Sequence, residues 1–218
     1  MNDPFEGVFR YKLSSDKVKF TEFYLKYFND PDKLDYYFEN KNELSLLINR
    51  TFEWRFENNS ICCFSDGDRV TNILMWSHYA DKHKGVCLVF DETLRFATPP
   101  ELNTVDKIVA HPTGPHKIDY VENYLDEDPF EKKLSQRNFL TTKFKTWVYE
   151  KEYRFISPVR GVFHFGKNSL KEIVLGLNCD LTTEKALTCI LKDGYSGVLI
   201  KKISRIDSDF NLTIEKVN

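Results

Sequence analysis

Between Ile61 and Asp91 the chain reads ICCFSDGDRVTNILMWSHYADKHKGVCLVFD, and this stretch limits the fold more than any other. Two short apolar runs, Ser60 to Phe64 and Val86 to Phe90, have the length and residue types of buried strands. Ser65-Asp66-Gly67-Asp68 reads as a loop after the first. Thr71 to about Lys82 has helical spacing, with Gly85 as its stop. That helix presents Trp76, His78, Tyr79, His83 and Lys84. A polar-aromatic group of this density between two core strands is more than a fold needs, and it marks a candidate site.

The flanking sequence sets the fold class. Phe20, Phe23, Tyr24, Tyr27 and Phe28 recur at three- and four-residue intervals, followed by Leu34, Tyr37 and Phe38 and then Leu44, Leu47 and Ile48. The first sixty residues are therefore expected to be helical, with an aromatic core stripe. The region Pro99 to Pro115 reads as loop and His116 to Val121 as an exposed or edge strand. Asp126-Glu127-Asp128-Pro129 opens a helix expected to run to about Thr146. Glu152 to Ile156 and Glu172 to Leu177 read as strands. A helix capped by Thr182 or Thr183 runs to Lys192, and strands Val198 to Ile206 and Phe210 to Val217 close the chain. Helices lead and strands dominate later, which gives an α+β class. The expectation is one domain over residues 1–218: a helical N-terminal part, then a mostly antiparallel or mixed sheet with flanking helices.

Composition narrows the partners. Thirty-one basic and 33 acidic residues leave a net charge of −2, so bulk charge does not indicate nucleic acid. No apolar run approaches the roughly 20 residues of a membrane span. The N-terminus MNDPFEGVFR has no secretory core, and five cysteines occur without a CxxC pair. The pattern fits reduced, buried thiols in a cytoplasmic protein. The spacing of Cys179, Cys189 and the histidines is not that of a structural zinc site, and no metal is expected. A nucleotide or other small molecule is the partner class that the aromatic content suits, and the oligomeric state is left open.

Three constellations carry candidate chemistry. In the central helix Trp76, Tyr79, Ala80 and His83 share one face by the i, i+3, i+4, i+7 rule, and Leu74, Met75 and His78 the adjoining one. Either Trp76 and Tyr79 are core, or one of them stacks a base or nicotinamide ring while His78, His83 and Lys84 supply protons or positive charge. In Trp147-Val148-Tyr149-Glu150-Lys151-Glu152-Tyr153-Arg154, strand alternation puts Glu152 and Arg154 on one face. They form either an ion pair, worth little if exposed, or a ribose- or phosphate-fixing edge. Lys143 and Lys145 would add a basic rim. At the N-terminus Asn2-Asp3-Pro4-Phe5-Glu6 is ordinary turn chemistry.

These segments occur together in an order that suggests a family. Asn2-Asp3-Pro4-Phe5-Glu6, Cys63-Phe64-Ser65, Met75-Trp76-Ser77-His78-Tyr79-Ala80, His83-Lys84-Gly85-Val86-Cys87 and Lys143-x-x-x-Trp147-x-x-Glu150-Lys151-Glu152-Tyr153-Arg154 resemble the bacterial domain-of-unknown-function family two-nine-seven-one. Family members usually carry a further strand and helix ahead of the Asn-Asp-Pro-Phe-Glu motif, where this chain begins. The motif set implies a pocket with Glu152 and His78 as catalytic residues and with Asp3, Glu6, Ser65, Trp76, Tyr79, Lys84 and Arg154 as ligand-binding residues. Three functions compete. One is a nucleotide-handling, ADP-ribosyltransferase-like effector of stress or phage defence, with NAD as the candidate cofactor. The second is a non-enzymatic sensor or interaction domain. The third is a metal-dependent nuclease using Asp3, Glu6 or Glu150 with Lys151.

Overall fold

Asp16 starts the first helix by accepting hydrogen bonds from the Val18 and Lys19 amides, and Asn29, in the left-handed region, ends it. The computed structural model describes residues 10–11, 13–97, 112–123, 126–127, 140–195 and 197–217, and the side chains at 10–11, 52–58 and 126–127 are left aside. The helices are α1 (Lys17–Phe28), α2 (Leu34–Glu39), α3 (Lys41–Asn58), α4 (Ile73–Tyr79) and α5 (Leu181–Gly194). The longer strands are β2 (Ser60–Ser65), β3 (Val86–Phe90), β5 (Thr113–Lys117), β9 (Glu152–Ser157), β11 (Leu170–Leu175), β12 (Leu199–Arg205) and β13 (Leu212–Lys216). The shorter ones are β1 (Arg10–Tyr11), β4 (Phe96–Ala97), β6 (Asp119–Val121), β7 (Asp126–Glu127), β8 (Thr142–Phe144) and β10 (His164–Phe165). Helices lead and sheets follow, so the protein is α+β. No helix among the described residues is long and apolar enough to cross a membrane.

The chain divides into two compact units, each assembled from separate segments. One holds residues 1–63, 113–148 and 152–160. Its core is the predicted aromatic stripe: Phe20, Phe23 and Tyr24 of α1 pack with Leu44 and Ile48 of α3, Leu140 and Ile156. Ile156 lies on β9, the middle strand of a sheet ordered β2-β9-β5, and so joins that sheet to the helices. Beside it β6 and β8 pair in parallel, as do β1 and β7.

The other unit holds residues 64–112, 149–151 and 161–218. Its sheet runs β13-β12-β11-β3, with β11 and β12 parallel and joined through α5, and β3 antiparallel to β11. Successive residues of β11 serve opposite faces, as strand geometry requires. Val174 packs with Trp76 and Ala80 of the α4 segment, while Ile173 and Leu175 pack with Leu191 of α5. Covering both faces makes this sheet the rigid part of its unit. Between β4 and β10 lies a small antiparallel ribbon that packs Phe165 against Phe90.

Several expectations are corrected. The helix expected over Thr71–Lys82 is shorter, because Asn72 caps it by accepting from the Leu74 and Met75 amides and residues Gly67–Thr71 form a 3-10 turn. At its far end Asp81, Lys82 and His83 all have positive φ (42°, 55° and 69°), so His83 lies off the helix and shares no face with Trp76. Tyr79 is half exposed whereas Trp76 and Ala80 are buried, which splits the expected four-residue face. Of the helix expected from Asp126 to about Thr146, residues 128–139 lie outside the described ones and Leu140 is helical, but Asp126–Glu127 forms β7, Thr142–Phe144 forms β8 and Lys145–Glu150 a 3-10 turn. The strand at His116–Val121 is interrupted at buried Ile118, whose amide donates to the Glu152 carbonyl. Asp180, rather than Thr182 or Thr183, caps α5. Cys62, Cys63 and Cys189 are exposed, against the expected burial of the thiols, and none of the five cysteines is in a disulfide.

Asn72→Ala should cost about 1 kcal/mol and Asn72→Gly only a few tenths, because glycine tolerates the cap backbone without the side-chain bond. Urea denaturation of the two variants checks this order.

Candidate functional site

β9 and β8 build a buried charged centre in the first unit. Alternation on β9 turns Glu152 and Arg154 to the same side, and Lys143 of β8 meets them there. Their exposures are 4%, 1% and 6%. Arg154 donates from Nε to Glu152 Oε1 at 2.7 Å, from Nη2 to Oε2 at 3.1 Å and from Nη1 to the Leu140 carbonyl at 2.7 Å. Lys143 Nζ donates to Glu152 Oε2 at 3.0 Å. The Glu152 amide donates to Tyr120 Oη at 2.8 Å. Burial pushes the Glu152 carboxyl up, but the hydrogen bond and charge of Arg154, the Cys63 thiol and the Lys143 charge outweigh it and hold the group below its usual range. Glu152 is therefore an ionised carboxylate at neutral pH.

Trp147 completes this centre. Lys143 Nζ lies 5.1 Å from the centroid of its ring, and the indole keeps part of its surface in solvent. Phe144, the last residue of β8, and Val148, next to Trp147 in the 3-10 turn, are both exposed.

In the second unit the helix α4 and residues 149–151 form another polar group. Tyr79 Oη donates to the Glu150 carboxylate, which is buried, and the rings of His78 and Tyr149 lie 6.3 Å apart. Arg69 grips Asp68 through Nε and Nη2, both at 2.6 Å, and Lys151 Nζ reaches the same carboxylate at 2.5 Å. The Arg69 and Lys151 hydrogen bonds hold the Asp68 carboxyl well below the usual range. Lys151 itself adopts a positive φ of 43°. Ser77 Oγ donates to the Ile73 carbonyl and so accepts from His83 Nε2, at 3.1 Å. His83 Nδ1 is buried without a hydrogen-bond partner.

Glu152 and Arg154 are thus brought together, with Lys143, in one unit. Trp76, His78, Tyr79, Lys84 and Ser65 belong to the other. Trp76 is core: it is buried and its indole N–H donates to the Val70 carbonyl at 2.6 Å, so the stacking role considered for it does not fall to it. His78 and Lys84 are exposed, and Ser65 ends β2 half-buried. Asp3 and Glu6 lie outside the described residues. Of the expected basic rim, Lys143 is buried against Glu152 and Lys145 pairs with Glu122. Sequence reasoning gave no role to Tyr120, Cys63 or Trp147 here. The Lys143-x-x-x-Trp147 spacing was the available signal. Among the described residues no three His, Cys, Asp or Glu side chains are grouped as a metal ion would require.

An α+β protein with a buried, ionised carboxylate centre is the class that these observations define. Residues 75–155 match the family model described as protein of unknown function (DUF2971), the family that the motifs resemble. The matched stretch takes in α4, the left-handed turn, β8 and the first half of β9. No curated protein and no solved structure matches the chain significantly.

Proposed function

We propose that the protein handles a nucleotide at the Lys143–Glu152–Arg154 centre and catalyses ADP-ribosyl transfer from NAD, as an effector in stress or phage defence. The observation that carries this reading is the Glu152 carboxylate, ionised although almost wholly buried and held between two cations. Burying each ion costs several kcal/mol before pairing. A fold without a use for the charges would be served as well by apolar side chains. In the reaction the bond between ribose C1′ and the nicotinamide nitrogen breaks, and its electron pair stays on the ring, which leaves neutral. The negative charge of Glu152 stabilises the oxocarbenium-like ribose. The acceptor's nucleophilic atom then bonds to C1′ and releases its proton to solvent. Arg154 and Lys143 aim the carboxylate and keep it ionised.

Purified protein should release nicotinamide from NAD and melt at a higher temperature in its presence. Glu152→Gln, isosteric and still able to accept from Arg154, should lower turnover by about a hundredfold or more. Absence of both turnover and a melting shift in the unaltered protein refutes the reading. A non-enzymatic interaction domain is the second reading, favoured by Ile73, Leu74 and Tyr79, which are all exposed on α4. In that case Leu74→Asp abolishes the biological effect and Glu152→Gln leaves it intact.

A further inference from the structure

We infer that β3 is a dimer seam, along which two copies of this chain pair antiparallel about Leu88 and join their sheets into one. β3 is an end strand of the sheet ordered β13-β12-β11-β3, and among the described residues no strand pairs with its outer edge. The Gly85 carbonyl accepts from the Gly176 amide, and the Asp91 amide donates to the Ser169 carbonyl. Odd-numbered residues of this stretch thus turn their backbone groups to the β11 side. Alternation then turns the N–H and C=O groups of Val86 and Leu88 outward. The side chains of the same two residues are exposed. Edge strands of monomers are usually blunted by charged residues, and β13 at the opposite edge does end on exposed Glu215 and Lys216. β3 presents apolar side chains instead.

The charge pattern selects a second copy of the chain as the occupant. Lys84 lies two residues before β3 and Glu92 two residues after it, so Leu88 is their midpoint. Both are exposed, and neither side chain has a hydrogen bond or ion pair among the described residues. A two-fold axis at Leu88 sets Lys84 of each copy opposite Glu92 of the other, Val86 opposite Phe90 and Leu88 opposite itself. Leu88 fits the axis because its outward N–H and C=O can exchange both hydrogen bonds with their copies. Cross-strand apolar pairs and opposite charges stabilise such a seam, whereas like charges set opposite each other weaken it. Read along the edge, the order is cation, three apolar side chains, anion. An antiparallel copy complements that order at every position, and a parallel one would set like charge against like. The seam gives the His83-Lys84-Gly85-Val86-Cys87 segment a role that does not depend on the transferase reading.

Sedimentation equilibrium of the full chain at rising concentration is the test. The mass should climb from 25.7 kDa towards twice that value, because a seam one strand long is at the small end of specific interfaces and dissociates on dilution. Lys84→Glu and Glu92→Lys should each weaken the dimer by about tenfold or more, with melting curves confirming that both variants fold. An equimolar mixture of the two should associate again, because each then meets the opposite charge on both sides of the axis. The double variant should match the unaltered protein. Leu88→Asp, which sets two carboxylates opposite each other, should leave only monomer. A chain that is monomeric at every concentration overturns the inference. So does a dimer that survives Leu88→Asp or both single charge variants, since another surface then holds it. Failure of the mixed variants to associate overturns the antiparallel register.

Discussion

Gly176→Ala should melt at least about 6–12 °C below the unaltered protein, the shift that a loss of roughly 3 kcal/mol gives in a chain of this size. A Cβ at this position would lie 2.1 Å from the His83 carbonyl oxygen, 2.7 Å from its carbon and 2.9 Å from the Gly85 oxygen. All three are backbone atoms, so no side chain can swing away. They also belong to a fixed structure: Gly176 donates its amide to the Gly85 carbonyl at 2.9 Å, and Asn178 donates its amide to the His83 carbonyl at 2.9 Å. The Asn178 side chain donates to the Lys82 carbonyl as well. Relief requires β11 and the turn at Asp81–His83 to separate, which breaks these bonds together. The cost should reach or exceed the roughly 3 kcal/mol at the upper end of ordinary overpacking. Domains have only about 5–15 kcal/mol to lose. Gly67→Ala is the matched control, because nothing lies within 4 Å of its Cβ. A melting temperature unchanged in Gly176→Ala refutes the close approach.

Arg154→Ala is the second large effect, with an expected loss of about 3–5 kcal/mol in urea denaturation. The side chain is 1% exposed and donates to both Glu152 oxygens and to the Leu140 carbonyl. Its removal leaves a buried carboxylate short of its main partner and a buried carbonyl without its donor. Arg154→Lys keeps the charge but cannot span both Glu152 oxygens and the carbonyl, so it should recover part of the loss. The pH dependence has a definite sign. The folded pKa of Glu152 lies below its unfolded value, so the pair contributes fully above about pH 4.3, the ordinary carboxylate range. Its contribution falls away as the pH drops further through the folded pKa. Glu152→Gln should therefore flatten the acid limb of the stability curve below about pH 4.3. If the two acid limbs superimpose, Glu152 is not held ionised in the folded state.

Local periodicity carried much of the fold. The three- and four-residue spacing of Phe20, Phe23 and Tyr24 identifies α1 and its buried face, and the period of two along β9 is enough to set Glu152 beside Arg154. What periodicity could not supply was burial. A Glu-x-Arg pair on a strand looks the same whether exposed or enclosed, and enclosure here comes from Lys143 and Leu140 on other segments. The end of α4 was illegible for a similar reason. Three consecutive non-glycine residues with positive φ are disfavoured locally by about 1–2 kcal/mol each. They persist because Asn178, nearly a hundred positions later, donates to the Lys82 and His83 carbonyls, and Gly176 fits under the His83 carbonyl. Trp76 and Tyr79 lay on one predicted face, yet Trp76 packs on the sheet whereas Tyr79, the last residue of α4, is half exposed and donates to Glu150.

Neither compact unit is a continuous stretch of chain, and this shapes what can be done to the molecule. The polypeptide passes from one unit to the other at 63/64, 112/113, 148/149, 151/152 and 160/161. No single cleavage can release either unit whole, and no single start or stop codon can delimit one. The EKEYR motif lies across one of these passages: Glu150 and Lys151 serve Tyr79 and Asp68, while Glu152 and Arg154 serve Lys143 and Leu140. The five letters of the motif thus serve two separate cores, two residues in one unit and three in the other.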